Sequence, residues 1–118
     1  MVNEMEEIVE LSLLFDFYGE MLGDHKKQIF EDYVLNDLSL AEIADEEGIS
    51  RQGVHDIVKR CTKQLKEYES ALHLVEKFQN MKKKLTDVSE LLTIEVSNDS
   101  NQNLEKAKSI LTEVMTEL

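Results

Sequence analysis

Residues 39–60, SLAEIADEEGISRQGVHDIVKR, fix the local path of this chain more tightly than any other stretch. The Ser39 hydroxyl can accept from an orphan amide in a first helical turn. Glu42, three residues on, can reach back to the Ser39 amide, which completes a capping box. Leu40, Ile43 and Ala44 then share one helical face. Gly48 follows the acidic run Asp45, Glu46, Glu47 and suits the left-handed residue that stops a helix. Ile49 plugs the turn, and Ser50 caps a second helix whose inner face is Val54, Ile57, Val58 and Cys61.

Two short helices joined by a three- or four-residue turn that contains Gly form a helix-turn-helix. The alternative for the same residues is an ordinary helical hairpin in an all-α bundle.

At these residues the chain resembles known proteins. The segment LSLAEIADEEGIS is similar to the helix-turn-helix of region 4 of bacterial sigma factors. The wider stretch, from Leu14-Phe-Asp-Phe-Tyr-Gly-Glu-Met-Leu22 through Arg60, resembles the YlxM family of small Firmicute proteins, described as helix-turn-helix proteins. Genes of that family typically sit beside those of the signal recognition particle GTPases. The resemblance covers about the first two thirds of the chain. It implies a regulatory or accessory role linked to that secretion pathway, through gene position rather than chemistry.

The 118 residues make one domain, or one domain plus an extension. Pro is absent and Gly occurs four times, and no stretch alternates as a strand would, so the chain is expected to be all-α. The formal net charge is −12, which opposes indiscriminate binding to phosphate backbones. The charge is uneven. Residues 1–24 hold seven acids and no Lys or Arg, whereas residues 51–66 carry Arg51, Lys59, Arg60, Lys63 and Lys66 against Asp56 alone. Charges beyond about 8 Å are largely screened at physiological salt, so a basic helix can work on an acidic protein. A single cysteine excludes an intrachain disulfide and fits a reducing compartment. The start Met-Val-Asn-Glu-Met-Glu-Glu is acidic where a signal peptide would be basic, and no apolar run reaches the roughly 18 residues of a spanning helix. A cytoplasmic protein without membrane insertion is expected.

Ile8, Leu11, Leu14, Phe15, Tyr18, Met21 and Leu22 recur at helical spacing, which predicts one amphipathic helix over 4–22, ended by Gly23. Phe15, Phe17 and Tyr18 are expected in the core rather than as a stacking platform for bases. Asp24 is expected to cap a helix through Leu35, with Ile29, Phe30, Tyr33 and Val34 inward and Asn36-Asp37 turning into Ser39. His25, Lys26 and Lys27, in its first turn, face either phosphate or plain solvent. After residue 60 the apolar positions continue in near-heptad steps, as one long helix or as two with a break near 80. A 40-residue helix would span about 60 Å, too long for so small a domain, so the segment bends back or meets a second copy. The expected division is 1–66 for the helical domain, with the helix-turn-helix at 39–63. A helical extension for homodimerisation covers 67–95, a polar linker 96–103 and a terminal helix 104–118. The homodimer seam is assigned to Leu65, Tyr68, Leu72, Val75 and Phe78.

The candidate DNA-binding residues are Ser50, Arg51, Gln52, His55, Asp56, Lys59, Arg60 and Lys63. Gln52 suits adenine and Arg51 guanine or phosphate. Lys59, Arg60 and Lys63 suit the phosphate backbone. Two features fit poorly: Gly53 weakens the helix by up to about 1 kcal/mol, and Asp56 would repel phosphate, although it can accept from cytosine. No catalytic residue, metal site or cofactor is assigned. His25, His55 and His73 lack ligand spacing, Cys61 lacks a partner thiol, and no Gly-rich phosphate loop occurs. Lys82-Lys83-Lys84 is expected to be an exposed face. Two functions remain. One is a dimeric regulator that binds duplex DNA. The other is an accessory module that binds signal recognition particle components and keeps the helix-turn-helix as a scaffold.

Overall fold

The computed structural model describes residues 3–98 and 101–117, and every regular element among them is helical. In chain order these are α1 (Glu4–Tyr18), a 3-10 turn (Gly19–Leu22), α2 (Asp24–Val34), α3 (Leu40–Glu47), α4 (Arg51–Leu72), α5 (Leu74–Asn98) and α6 (Asn101–Glu117). The all-α expectation holds. The chain divides into two compact units, Met1–Val75 and Glu76–Leu118.

In the first unit α1 begins where the Asn3 side chain accepts from the Glu6 amide at 2.8 Å, with Glu4, Glu6 and Glu7 in the turn that the helix dipole favours for acids. Leu11, Leu14, Phe15 and Tyr18 face inward. The Phe15 ring lies 5.7 Å from that of Phe30 on α2, and the Tyr18 ring 5.9 Å from that of Tyr68 on α4. The expected single helix over 4–22 is instead α1 plus the tighter turn. At Gly19 a β-carbon would come within 2.8 Å of the Phe15 ring, so the bare backbone lets the turn close on the core. Phe17 and Met21, expected inside, are 36% and 51% exposed. Phe17 sits about 100° around the helix from Tyr18 and leaves the buried stripe.

Asp24 does not cap α2. Gly23, at φ +85°, holds the cap position with no side-chain bond, and Asp24 is the first helical residue. Ile29, Phe30 and Val34 are buried as expected. Asp32 is buried with them, and its carboxylate accepts from the Gln28 amide at 3.1 Å and the Asn36 amide at 2.9 Å. Its backbone carbonyl accepts from the Leu38 amide, so one residue organises the turn from α2 to α3. Asp37 adopts φ +54° within that turn.

The break after the helix-turn-helix falls at His73, φ +56°, rather than near residue 80. Its cause is remote in sequence. The buried Tyr18 hydroxyl donates to the Glu69 carboxylate at 2.6 Å and accepts from the Leu74 amide at 3.1 Å. The same Glu69 oxygen accepts from the Val75 amide at 3.0 Å. The first amides of α5 are thus satisfied by side chains, as a helix start requires, and not by carbonyls of α4. The boundary expected after 66 therefore lies at 75. Leu65 and Val75 cannot line a homodimer seam, because both are buried in this unit's own core, and Tyr68 packs half-buried against Tyr18. Of the five seam residues only Leu72 and Phe78 remain 44% exposed.

In the second unit α5 and α6 run antiparallel. Lys84 pairs with Glu113 at 3.5 Å, and Val88, Ala107 and Val114 are buried. The expected linker over 96–103 is largely helix, since α5 continues to Asn98 and α6 starts at Asn101. Leu118, assigned to the terminal helix, lies outside the described residues.

Replacing Tyr18 with Phe removes both bonds at the α4–α5 junction and should cost about 1–3 kcal/mol in urea unfolding. Burial first, and then the bond to Glu69, raise the Tyr18 hydroxyl above its ordinary 10.0. The folded state holds that proton more tightly than the unfolded chain. The contribution is therefore complete below pH 10 and is lost as pH rises through the folded pKa. Unfolding midpoints measured at rising alkaline pH should fall more steeply for the parent than for Tyr18→Phe.

Candidate nucleic-acid interface

The helix-turn-helix is built by four local bonds. The Ser39 hydroxyl accepts from the Glu42 amide at 3.1 Å, and Glu42 accepts from the Ser39 amide at 3.2 Å, so the capping box is complete. Gly48 stops α3 in the left-handed conformation, φ +68°, and the Ile49 amide donates back to Ala44. The Ser50 hydroxyl then accepts from the Gly53 amide at 2.9 Å and starts α4. Ile43 and Ala44 from α3, and Val54, Val58, Cys61 and Leu65 from α4, close the motif on the core. Ile57 is only half-buried, and Ile49, expected to plug the turn, is 39% exposed. His25 Nε2 meets the Glu47 carboxylate at 2.8 Å and ties the start of α2 to the end of α3.

The outer face of α4 carries the expected residues together. Ser50, Arg51, Gln52, His55, Asp56, Lys59, Arg60 and Lys63 are all exposed, and Lys66 extends the same basic run. Leu40, Arg51, Gln52 and His55 line a shallow hollow of about 390 Å³ at the start of the helix. The two residues that fitted poorly each acquire a role. Gly53 supplies the amide that Ser50 caps, and a β-carbon there would stand 3.2 Å from the capping hydroxyl. Asp56 Oδ1 accepts from the Gln52 side-chain amide at 3.0 Å, and His55 Nδ1 lies 3.7 Å from the same oxygen. The signal for that pair was their separation by one helical turn, which places the two side chains side by side.

One contributor was missed in the sequence. Glu7 of α1 lines, with His55, Lys59 and Thr62, a hollow of about 220 Å³ floored by Leu11 and Val58. The acidic start of the chain thus borders the basic helix. Its signal, seven acids without a base in the first 24 residues, gave no direction in space.

Cys61 is buried, and burial pushes its thiol up from the ordinary range against the nearby Lys26 charge, so its reactive thiolate is disfavoured. Among the described residues no group of three or more His, Cys, Asp or Glu is placed to hold a metal ion. No described helix is long and apolar enough to cross a membrane.

Comparison with known proteins agrees with this geometry. The family described as "Putative helix-turn-helix protein, YlxM / p13 like" matches residues 5–113. A UPF0122 protein of Desulforamulus reducens is 40% identical over 111 residues, covering 94% of this chain and 95% of the relative. One from Caldanaerobacter subterraneus subsp. tengcongensis is 46% identical over 87 residues, covering 74% of each. One from Clostridium kluyveri is 37% identical over 107 residues, covering 91% of this chain and 96% of the relative. No solved structure matches the chain. With a family match across nearly its whole length and relatives of similar span, the chain belongs to the UPF0122 family of YlxM/p13-like helix-turn-helix proteins.

Proposed function

We propose that the protein is a cytoplasmic DNA-binding regulator that places the start of α4 in the major groove. One observation carries this reading. On a chain of net charge −12, Lys59 and Lys63 stand with Gln52 and Asp56 on the outer face of the second helix of a fully capped helix-turn-helix, flanked by Arg60, with Arg51 exposed in its first turn. Lys59, Arg60 and Lys63 hold the phosphate backbone and set register. Arg51 reaches guanine or phosphate, and Gln52 reads adenine. Giving one amide hydrogen to Asp56 leaves Gln52 its second N–H and its carbonyl, the pair that adenine N7 and N6 require. Asp56 therefore orients the reader and at the same time weakens attraction to arbitrary sequence.

A second reading rests on Glu7 beside Lys59. The acidic flank suits a basic protein surface, and the motif then serves as the scaffold of an accessory module for signal recognition particle components. The two readings differ in their dependence on α4.

The double variant Lys59→Glu, Arg60→Glu should lose duplex DNA binding while keeping its helical circular dichroism. In the parent, log affinity should fall with log salt, and neutralising these two side chains instead, as Lys59→Gln, Arg60→Gln, should lower that slope by about 2. Genomic fragments enriched by the parent and lost by the double variant would carry the regulator reading. Equal recovery by both would end it and leave the accessory reading. Gln52→Ala should relax the preference at one base pair, by about 1–3 kcal/mol, in selection from random duplexes.

A further inference from the structure

The second unit, Glu76–Leu118, lacks half of a core. Its two helices bury only Val88, Ala107 and Val114 among their described side chains. An antiparallel helix pair of this size does not supply enough burial to stand alone in water. Large apolar side chains are nonetheless present. Phe78, Leu85 and Leu92 recur at intervals of seven on α5, and Leu104 and Leu111 do so on α6, each 40–46% exposed. Seven-residue spacing keeps each set on one helical face.

The two stripes fall on the same side of the hairpin. On each helix the half-exposed position lies three residues before a buried one: Leu85 before Val88, Leu104 before Ala107, and Leu111 before Val114. A step of three turns the side chain about 60° from the inter-helix face. Because α5 and α6 run in opposite directions, those two rotations point the same way. The result is a continuous apolar face of five large side chains, more than the scattered exposure usual for a soluble surface. Thr86 and Thr112, each one residue beyond a stripe leucine, flank this face, and Lys82 and Lys108, three residues before Leu85 and Leu111, stand at its edge.

We propose that a second copy of this chain covers this face, so that two hairpins close into an antiparallel four-helix bundle. Charge identifies the occupant. Residues 77–84 of α5 carry Lys77, Lys82, Lys83 and Lys84 and no acid, whereas residues 85–92 carry Asp87 and Glu90 and no base. The end of α6 holds Glu113 and Glu117. In a closed two-fold bundle every neighbouring helix runs antiparallel, so the basic start of α5 meets an acidic half of the partner. The Lys84–Glu113 pair at 3.5 Å is the same match already made within one chain. The seam thus moves from the residues buried before 75 to Leu85, Leu92, Leu104 and Leu111, with Phe78 retained.

Sedimentation equilibrium of the full chain at micromolar concentration should show two chains per particle. Leu111→Glu should yield one. That variant also disturbs the hairpin, so Thr86→Glu with Thr112→Glu serves as the second, both being exposed and helix-compatible. It should weaken association at least about tenfold by setting like charges across the seam, whereas Asn80→Glu, exposed and about 140–160° around α5 from Phe78 and Leu85, should leave it unchanged. A single chain in the parent, or a dimer indifferent to Thr86→Glu with Thr112→Glu, would overturn the proposal and assign the stripe to another protein. Neither readout involves DNA, so this result stands apart from the fate of the regulator reading.

Discussion

One buried hydroxyl decides how this chain is divided. Tyr18 and Glu69 take the amides of Leu74 and Val75, and α4 stops where nothing in its local sequence asks it to. Helix propensity around Leu72-His73-Leu74 is unremarkable, and a few tenths of a kcal/mol per residue would let the helix continue. Several charge-assisted or buried bonds outweigh that preference. Because α4 ends there, Leu65, Tyr68 and Val75 serve the first unit's core, and the next helix starts afresh with its own apolar registers.

The helix-turn-helix has the opposite character. Its bonds run between residues three to five apart, from Ser39 to Glu42, Ala44 to Ile49 and Ser50 to Gly53. These contacts lie wholly within the motif, and together with the packing of Ile43, Ala44, Val54 and Val58 they set the direction of α4. The outer face can then be chosen for chemistry, since the inner face of Val54, Val58 and Cys61 does the packing.

That contrast explains what could be read from the sequence. The Ser39 and Ser50 caps, the left-handed Gly48 and the inward faces of α2 to α4 follow from local spacing and were legible, whereas the cap expected at Asp24 was not found. The exposed basic residues of α4 were legible for the same reason. The break at His73 was not, because it is caused by Tyr18, 51 positions before Glu69. The polar stretch after Val96 was expected as linker through residue 103, whereas α5 runs to Asn98 and α6 starts at Asn101. Apolar spacing located a long seam correctly as helical but could not say which part the chain would use for itself. Within the candidate site, Asp56 looked like a misplaced charge until its bond to Gln52 was seen. The neighbourhood of Glu7 and Lys59 needed the tertiary fold.

Cys61 has a practical bearing on all of this. It is the sole sulfhydryl of the chain, sealed beneath α4 and held in its protonated form by its apolar surroundings. The native thiol is therefore shielded from alkylating dyes. Any cysteine engineered onto the surface becomes the one addressable point for a fluorophore or spin label, without first deleting the natural residue and disturbing the core it fills.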